Sequence, residues 1–521
     1  MKKLFALTMV LILLLPCAAC GAKSAKEPVP GSGGLTDGAF SVAAAPLEAP
    51  PYMEPLDWST EEYDHQEENG FRAVNLSPLS TFAADVDTAS YANLRARLLA
   101  GMEVEPDMVR IEEMLNYFRY DYPQPEEGEP FSVSAQILPC PWDGELKLLR
   151  LGLQAPQPDW ESMPPANLVF LLDVSGSMSD WNKLPLVKQA FQLLTENLRP
   201  QDVVSLVVYA SDNRVVLDGL SGGEGATIRS ALEKLEAGGA TDGGRGIQTA
   251  YDLAQKHFIP GGNNRVILAS DGDLNVGLTS EGELIRLVEE KKQSGILLSV
   301  LGFGMGNYKD NKLEALADHG DGNYAYIDSL LEARRALVEE MGGTLLTVAK
   351  DVKLQVEFNP GRVKGYRLIG YENRLMAAED FADDAKDGGE IGAGHRLTVL
   401  YELVEAGSGR EVPGADLKYQ DSSPTGSEDW LTLSLRYKDP DGEESRLLTY
   451  PVGDESLSHI PDPDAAFAAC VAQTGMLLRS SCYAGTASYA AVAEQLEAID
   501  LAGDPYKEEF LYLVKQLSRK G

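Results

Sequence analysis

The apolar run Leu168-Val169-Phe170-Leu171-Leu172 leads directly into Asp173-Val174-Ser175-Gly176-Ser177-Met178. A short unbroken run of this kind, bounded by turn residues, fits a strand buried on both faces. Such a strand needs helices over both sides of its sheet, which directs the chain towards α/β architectures. In open α/β sheets, ligands bind beyond the carboxyl ends of the strands. Asp173, Ser175 and Ser177 put oxygen donors at every second position of the loop that lies there, and oxygen donors suit a hard cation such as Mg²⁺. One such loop could equally cap a helix, so the rest of the chain has to decide.

Two later segments bear on it. Gly238-Gly239-Ala240-Thr241-Asp242-Gly243-Gly244 places a threonine in a glycine-rich turn before a helix, and Val266-Ile267-Leu268-Ala269-Ser270-Asp271-Gly272-Asp273 ends a second apolar strand on an aspartate. Together the three segments resemble the metal-ion-dependent adhesion site of von Willebrand factor type A domains. The resemblance implies a ligand set of Asp173, Ser175, Ser177, Thr241 and Asp271. It further implies that the hydroxyls touch the metal directly, that the aspartates reach it through water, and that an Asp or Glu of a protein partner fills the open position. Mg²⁺ is the expected ion, with Mn²⁺ or Ca²⁺ as alternatives. Asp242 and Asp273 adjoin these residues as a rim that would either disfavour an acidic partner or cap helices, and capping is the preferred reading.

The rhythm of the region supports the same fold class. Strands are expected at Leu168–Leu172, Val203–Tyr209, near Val215, and at Arg265–Ser270, Ile296–Phe303 and Tyr324–Ile327. Helices are expected at Lys183–Asn197, Ala226–Leu235, Gly246–His257, Glu281–Lys292 and Asn311–Ala317, with a last helix after Ile327 that runs to Met341. Alternation of this sort predicts a doubly wound, mostly parallel sheet, whose right-handed crossovers bring the ligand-bearing loops to one edge.

On either side the pattern changes. Phe131, Val133, Ala135 and Ile137 alternate, as do Val352, Leu354, Val356 and Phe358, then Leu397, Val399 and Tyr401, then Leu431, Leu433 and Leu435. Period-two runs separated by turn signals such as Pro360-Gly361 predict strands. The early ones are too few for a core of their own, so one β-sandwich with the α/β domain inserted in it is expected. Helical patterns flank the whole, including Tyr91, Leu94 and Leu98 near the start and a Phe510, Leu513, Val514 and Leu517 stripe near the end, which is read as packing against the rest. Asp85-Val86-Asp87-Thr88 fits neither a calcium loop nor a phosphatase nucleophile loop, and helix capping by Asp87 or Thr88 is the better account. PLSTFAADVDTASYANLR, RIEEMLNYFRYDYP, GMLLRSSCYAG and EEFLYLV resemble the flanks of exported bacterial von Willebrand factor type A lipoproteins.

Met1-Lys2-Lys3 and the apolar stretch Leu4 to Pro16 read as a secretory signal. Ala18-Ala19-Cys20-Gly21 resembles a lipobox in which Cys20 receives the lipid, although Cys17 stands where Leu is usual. Two acyl-type chains there would anchor the protein stably, and residues to about 56 would form a flexible tether of roughly 30–35 Å. The expected divisions are a signal peptide (1–19), tether (20–56), N-terminal helical region (57–130), first part of the sandwich (131–164), von Willebrand factor type A domain (165–343), second part of the sandwich (344–455) and C-terminal helical region (456–521).

Acids outnumber bases 80 to 45, a net charge of −35, which rules against nucleic acid as a partner, since binding its phosphates needs clustered Lys and Arg. Cys140, Cys470 and Cys482 form no disulfide framework; Cys470 and Cys482 are either bridged or reduced. No zinc-ligand spacing is present among the histidines. The expected function is therefore that of an exported, lipid-anchored cell-envelope protein, facing the periplasm or exterior, which binds an acidic residue of a protein partner through a metal and catalyses no reaction. A metal-assisted hydrolase and a metal-free scaffold are the rival classes.

Overall fold

The computed structural model describes the chain from residue 65, apart from residues 66, 85–87, 159–162, 241–242, 273–280, 305–309, 341–342, 344–345, 387, 415–425, 441, 502 and 521. The signal, Cys20 and the tether lie outside the described residues, as do Thr241, Asp242 and Asp273.

The chain opens with β1 (Arg72–Ala73), β2 (Leu79–Ala83), α1 (Ala89–Leu99) and α2 (Ile111–Tyr117), followed by β3 (Ser132–Pro139) and β4 (Lys147–Gln154). The α/β domain then runs through β5 (Ala166–Asp173), α3 (Leu184–Thr195), β6 (Val203–Tyr209), β7 (Asn213–Ser221), α4 (Gly225–Glu233), α5 (Gly243–Lys256), β8 (Asn263–Ser270), α6 (Glu281–Lys292), β9 (Leu297–Phe303), α7 (Asp310–His319), β10 (Tyr324–Ile327) and α8 (Leu330–Arg334). Its sheet has the order β10-β9-β8-β5-β6-β7, parallel throughout except for the β7 edge. β5 sits at the centre and all eight of its residues are buried, as its apolar run demands. One face is covered by α3, α4 and α8 and the other by α5, α6 and α7. The final helix is shorter than the periodicity suggests: α8 passes into a π-helical turn over Arg335–Glu339.

Beyond it come β11 (Thr347–Phe358), β12 (Val363–Ile369), β13 (Gly389–Gly392), β14 (Arg396–Glu405), β15 (Leu431–Lys438) and β16 (Ser445–Val452), then α9 (Pro463–Leu478), α10 (Tyr489–Glu497) and α11 (Pro505–Lys520). One sheet has the order β1-β12-β14-β4-β3; the other runs β13-β11-β15-β16, with β2 beside β11. Strands from before and after the α/β domain therefore share both sheets, which is the inserted-sandwich architecture expected from the sequence.

The side-chain patterns follow from the layering. β15 alternates buried and half-buried because only one face of it meets the core. In β4, Leu149, Leu151 and Leu153 point into the sandwich, while Leu148 joins the core shared with the helices, so both faces are covered. That helical layer holds Phe118, Phe467 and Phe510 in edge-to-face contacts 4.9–5.6 Å apart, an arrangement favoured by the ring quadrupoles. Phe510, Leu513 and Val514 are buried, so the terminal stripe is packed as anticipated.

The expected helix capping by Asp87 or Thr88 needs correction at Thr88, Asp87 lying outside the described residues. Thr88 occupies the N-cap position of α1, yet its side chain makes no capping bond. Its hydroxyl accepts a 2.6 Å bond from Arg335 Nη2 instead, a charged donor that outcompetes a backbone amide. A 3₁₀ turn at Pro106–Met108 precedes α2, and Phe118 falls at the C-cap of α2 with extended backbone. Cys140, Cys470 and Cys482 are all thiols, the first two buried and the third exposed, so Cys470 and Cys482 are not bridged. Burial pushes the Cys140 and Cys470 thiols up to about 12, which leaves them protonated and inert. Among the described residues no helix is long and apolar enough to cross a membrane.

Candidate functional site

β5 and β8 are adjacent and parallel, with Leu172 opposite Ala269, so Asp173 and Asp271 emerge side by side at their carboxyl ends. Asp173 and Asp271 are both buried, as is Ser175, while Ser177 is half-buried at the rim. The β5 loop turns immediately into a 3₁₀ segment, Gly176–Ser179, with Ser175 extended at its N-cap. The turn is fixed by Asp173, whose Oδ1 accepts from the Ser175 amide at 2.8 Å. Its Oδ2 accepts from Ser270 Oγ at 3.3 Å, tying the first loop to the third.

The second loop is held by backbone bonds. Gly176 N donates to Gly239 O at 2.9 Å, and Gly238 N donates to Val174 O at 2.8 Å. Gly239 has φ +90, and a Cβ there would come within 2.8 Å of Ser211 Oγ. A glycine is therefore required for this close approach. Ala240 N donates to Ser211 Oγ at 2.7 Å, so the turn is pinned up to the residue before Thr241.

Four of the five sequence-derived ligands can be placed, and they converge. Ser175 Oγ and Ser177 Oγ stand 3.0 Å apart. Cis oxygens around an octahedral cation with bonds of about 2.1 Å stand about 3.0 Å apart, so the hydroxyl pair fits a Mg²⁺ ligand edge. Among the described residues no cluster of three or more His, Cys, Asp or Glu is placed to hold a metal, so a cation here would have to draw on the hydroxyls. Burial pushes the Asp173 carboxyl up to about 6 against the hydrogen bonds from Ser175, with Asp271 adding to the rise. A buried carboxylate pair under this pressure is stabilised by a cation beside it.

Two residues near the ligands carried no usable sequence signal. Lys183 is 6% exposed; its Nζ donates to Asp271 Oδ2 at 2.9 Å and to Ser177 O at 3.0 Å, and lies 3.9 Å from Asp180. Its stem crosses Gly304, at φ +82, where any Cβ would collide with Lys183 Cε. Trp181 follows the first loop and is 62% exposed. Neither residue belongs to a ligand motif, and only the fold shows that Lys183 adjoins one.

A family model described as "von Willebrand factor type A domain" matches residues 167–340, and one described as "von Willebrand factor" matches residues 57–150. A third, described as "Uncharacterized protein YfbK, C-terminal", matches residues 343–519. The Escherichia coli (strain K12) protein YfbK is 40% identical over 470 residues, covering 88% of this chain and 81% of that protein. Inter-alpha-trypsin inhibitor heavy chain H3 of Homo sapiens is 30% identical over 194 residues, which are 35% of this chain and 22% of that one. Among solved structures, von Willebrand factor type A from Catenulispora acidiphila is 15% identical and covers 88% of this chain and 89% of its own, with a TM-score of 0.37, too low to carry an argument.

Proposed function

The chain belongs to the YfbK family of von Willebrand factor type A proteins, and from that premise we propose a lipid-anchored cell-envelope protein that docks a protein partner through a divalent cation. Domains of this type typically mediate protein–protein interaction. The finer reading is that Asp173, Ser175, Ser177, Thr241 and Asp271 hold Mg²⁺, that the partner offers an Asp or Glu carboxylate, and that Cys20 carries the lipid.

The observation that carries the reading is the pair of serine hydroxyls 3.0 Å apart above a buried aspartate. Neutral hydroxyls donate electron density without cancelling charge, so the bound ion supplies an open, electropositive position that attracts a carboxylate. Asp173 and Ser270 lock the first and third loops together, and the Gly176–Gly239 bond locks the second to the first. The first and third loops are thus tied together before any partner arrives, which lowers the ordering cost of binding. The exposed Trp181 offers an aromatic contact at the rim, a residue type favoured in binding hot spots.

The test is a calorimetric titration of the full chain, in mild detergent, with Mg²⁺. Saturable binding is expected for the parent, and none for an Asp173→Ala, Asp271→Ala double variant. Absence of saturable heat from the parent rules out the metal-dependent mechanism. The anchor is checked separately by metabolic labelling with a fatty-acid analogue, expected in the parent and missing from Cys20→Ser.

A further inference from the structure

Among the described residues, a buried ammonium stands beside the proposed ligands without a role in holding the ion. Lys183 stands at the first residue before α3 and reaches back under the first loop, with Nζ 2.9 Å from Asp271 Oδ2 and 3.0 Å from Ser177 O. Both ends of this ion pair are buried, so the charges are poorly screened by solvent. The position is built in, because Gly304 leaves room for the lysine stem that no other residue would leave.

The consequence is electrostatic. Asp173 and Asp271 together bring two negative charges and Lys183 returns one positive, so the protein presents a net single negative charge to an incoming ion. A divalent cation turns that into a net single positive charge, which one carboxylate neutralises. Without the ammonium, the two aspartates would balance the cation completely and leave little attraction for an acidic partner.

We propose that Lys183 is the charge-setting residue of the site, a tethered counter-ion that weakens divalent-cation binding and keeps the loaded site electropositive towards a carboxylate. The inference rests on the metal-dependent docking reading. In the metal-free protein the ammonium also neutralises Asp271, so the domain holds its shape before the cation binds.

The experiment compares the full chain with Lys183→Met and Lys183→Gln, the second serving if the first does not fold, by Mg²⁺ titration and by thermal melting in EDTA. Removing a like charge a few ångströms from the ion is expected to tighten Mg²⁺ binding by at least about tenfold. The neutral variants should also melt lower in EDTA and regain stability with Mg²⁺, whereas Lys183→Arg should keep the parent affinity. Binding by a neutral variant alone would leave the parent without a metal site and overturns both readings. A parent that binds Mg²⁺ with neutral variants that bind equally or more weakly overturns the role of Lys183 and leaves the docking reading standing. If no form binds Mg²⁺, the docking reading fails and the role of Lys183 fails with it.

Discussion

Two regions of this molecule bury charge, and they do so in opposite ways. Where α1 and α2 meet the end of the α/β domain, Arg95, Glu332 and Arg335 are all buried. Arg95 pairs with Asp328 and reaches Glu332 at 3.1 Å, while Arg335 bonds Glu332 Oε1 at 2.7 Å and Tyr117 donates to Glu332 Oε2 at 2.6 Å. Burial alone would raise the Glu332 carboxyl, but Arg335 and Arg95 outweigh it and hold it below its usual range. At the carboxyl edge of the sheet, by contrast, burial wins over hydrogen bonding and Asp173 rises. Glu332 is held by two arginines at once and has a structural role, although burial still raises its neighbour Asp328, whereas Asp173 is raised by burial and by Asp271 beside two hydroxyls, a setting suited to a cation.

The contrast can be broken experimentally, beginning where the effect is largest. Glu332→Ala removes the buried carboxylate shared by Arg95 and Arg335, which keep only Asp328, Glu509 and Glu340 as anionic partners, and is expected to cost about 3 kcal/mol in denaturant unfolding. A loss within ordinary surface-mutation scatter would show that the junction is not a structural clamp.

Glu113 sharpens the comparison from within the flanking layer. It accepts from the Ser90 amide at 2.8 Å, and burial pushes its carboxyl up to about 8 despite Arg110. The folded state therefore holds a proton that the unfolded chain releases near its ordinary 4.5. Its contribution to stability is fully present below pH 4.5 and is lost as pH rises through about 8. Glu113→Gln should remove that decline, an effect on the order of 1–3 kcal/mol across the window. An unchanged pH profile of melting would refute the assignment.

The smallest effect on stability is expected at the site itself. Asp173→Asn keeps an acceptor for the Ser175 amide and removes a disfavoured charge, so metal-free stability should change by less than about 1 kcal/mol while Mg²⁺ binding disappears. Large destabilisation would instead class Asp173 with the structural charges.

Much of this was legible in the sequence because it is written in short-range pattern. The apolar run before Asp173 specified a central strand, the period-two runs specified the sandwich, and the split of those runs around the α/β region implied insertion. The spacing of Asp173, Ser175 and Ser177 specified one loop, and adjacency of the parallel strands placed Asp271 beside it.

Tertiary structure alone decided how the charged side chains pair. Lys183 meets Asp271 across 88 residues of chain, and the Thr88 hydroxyl serves Arg335 across 247 instead of capping its own helix. Arg95 and Glu332 resemble ordinary helical surface residues until α1 and α8 are brought together. Secondary structure follows from the periodicity of nearby residues, whereas the partner of a buried charge depends on which distant segments share a low-dielectric interior.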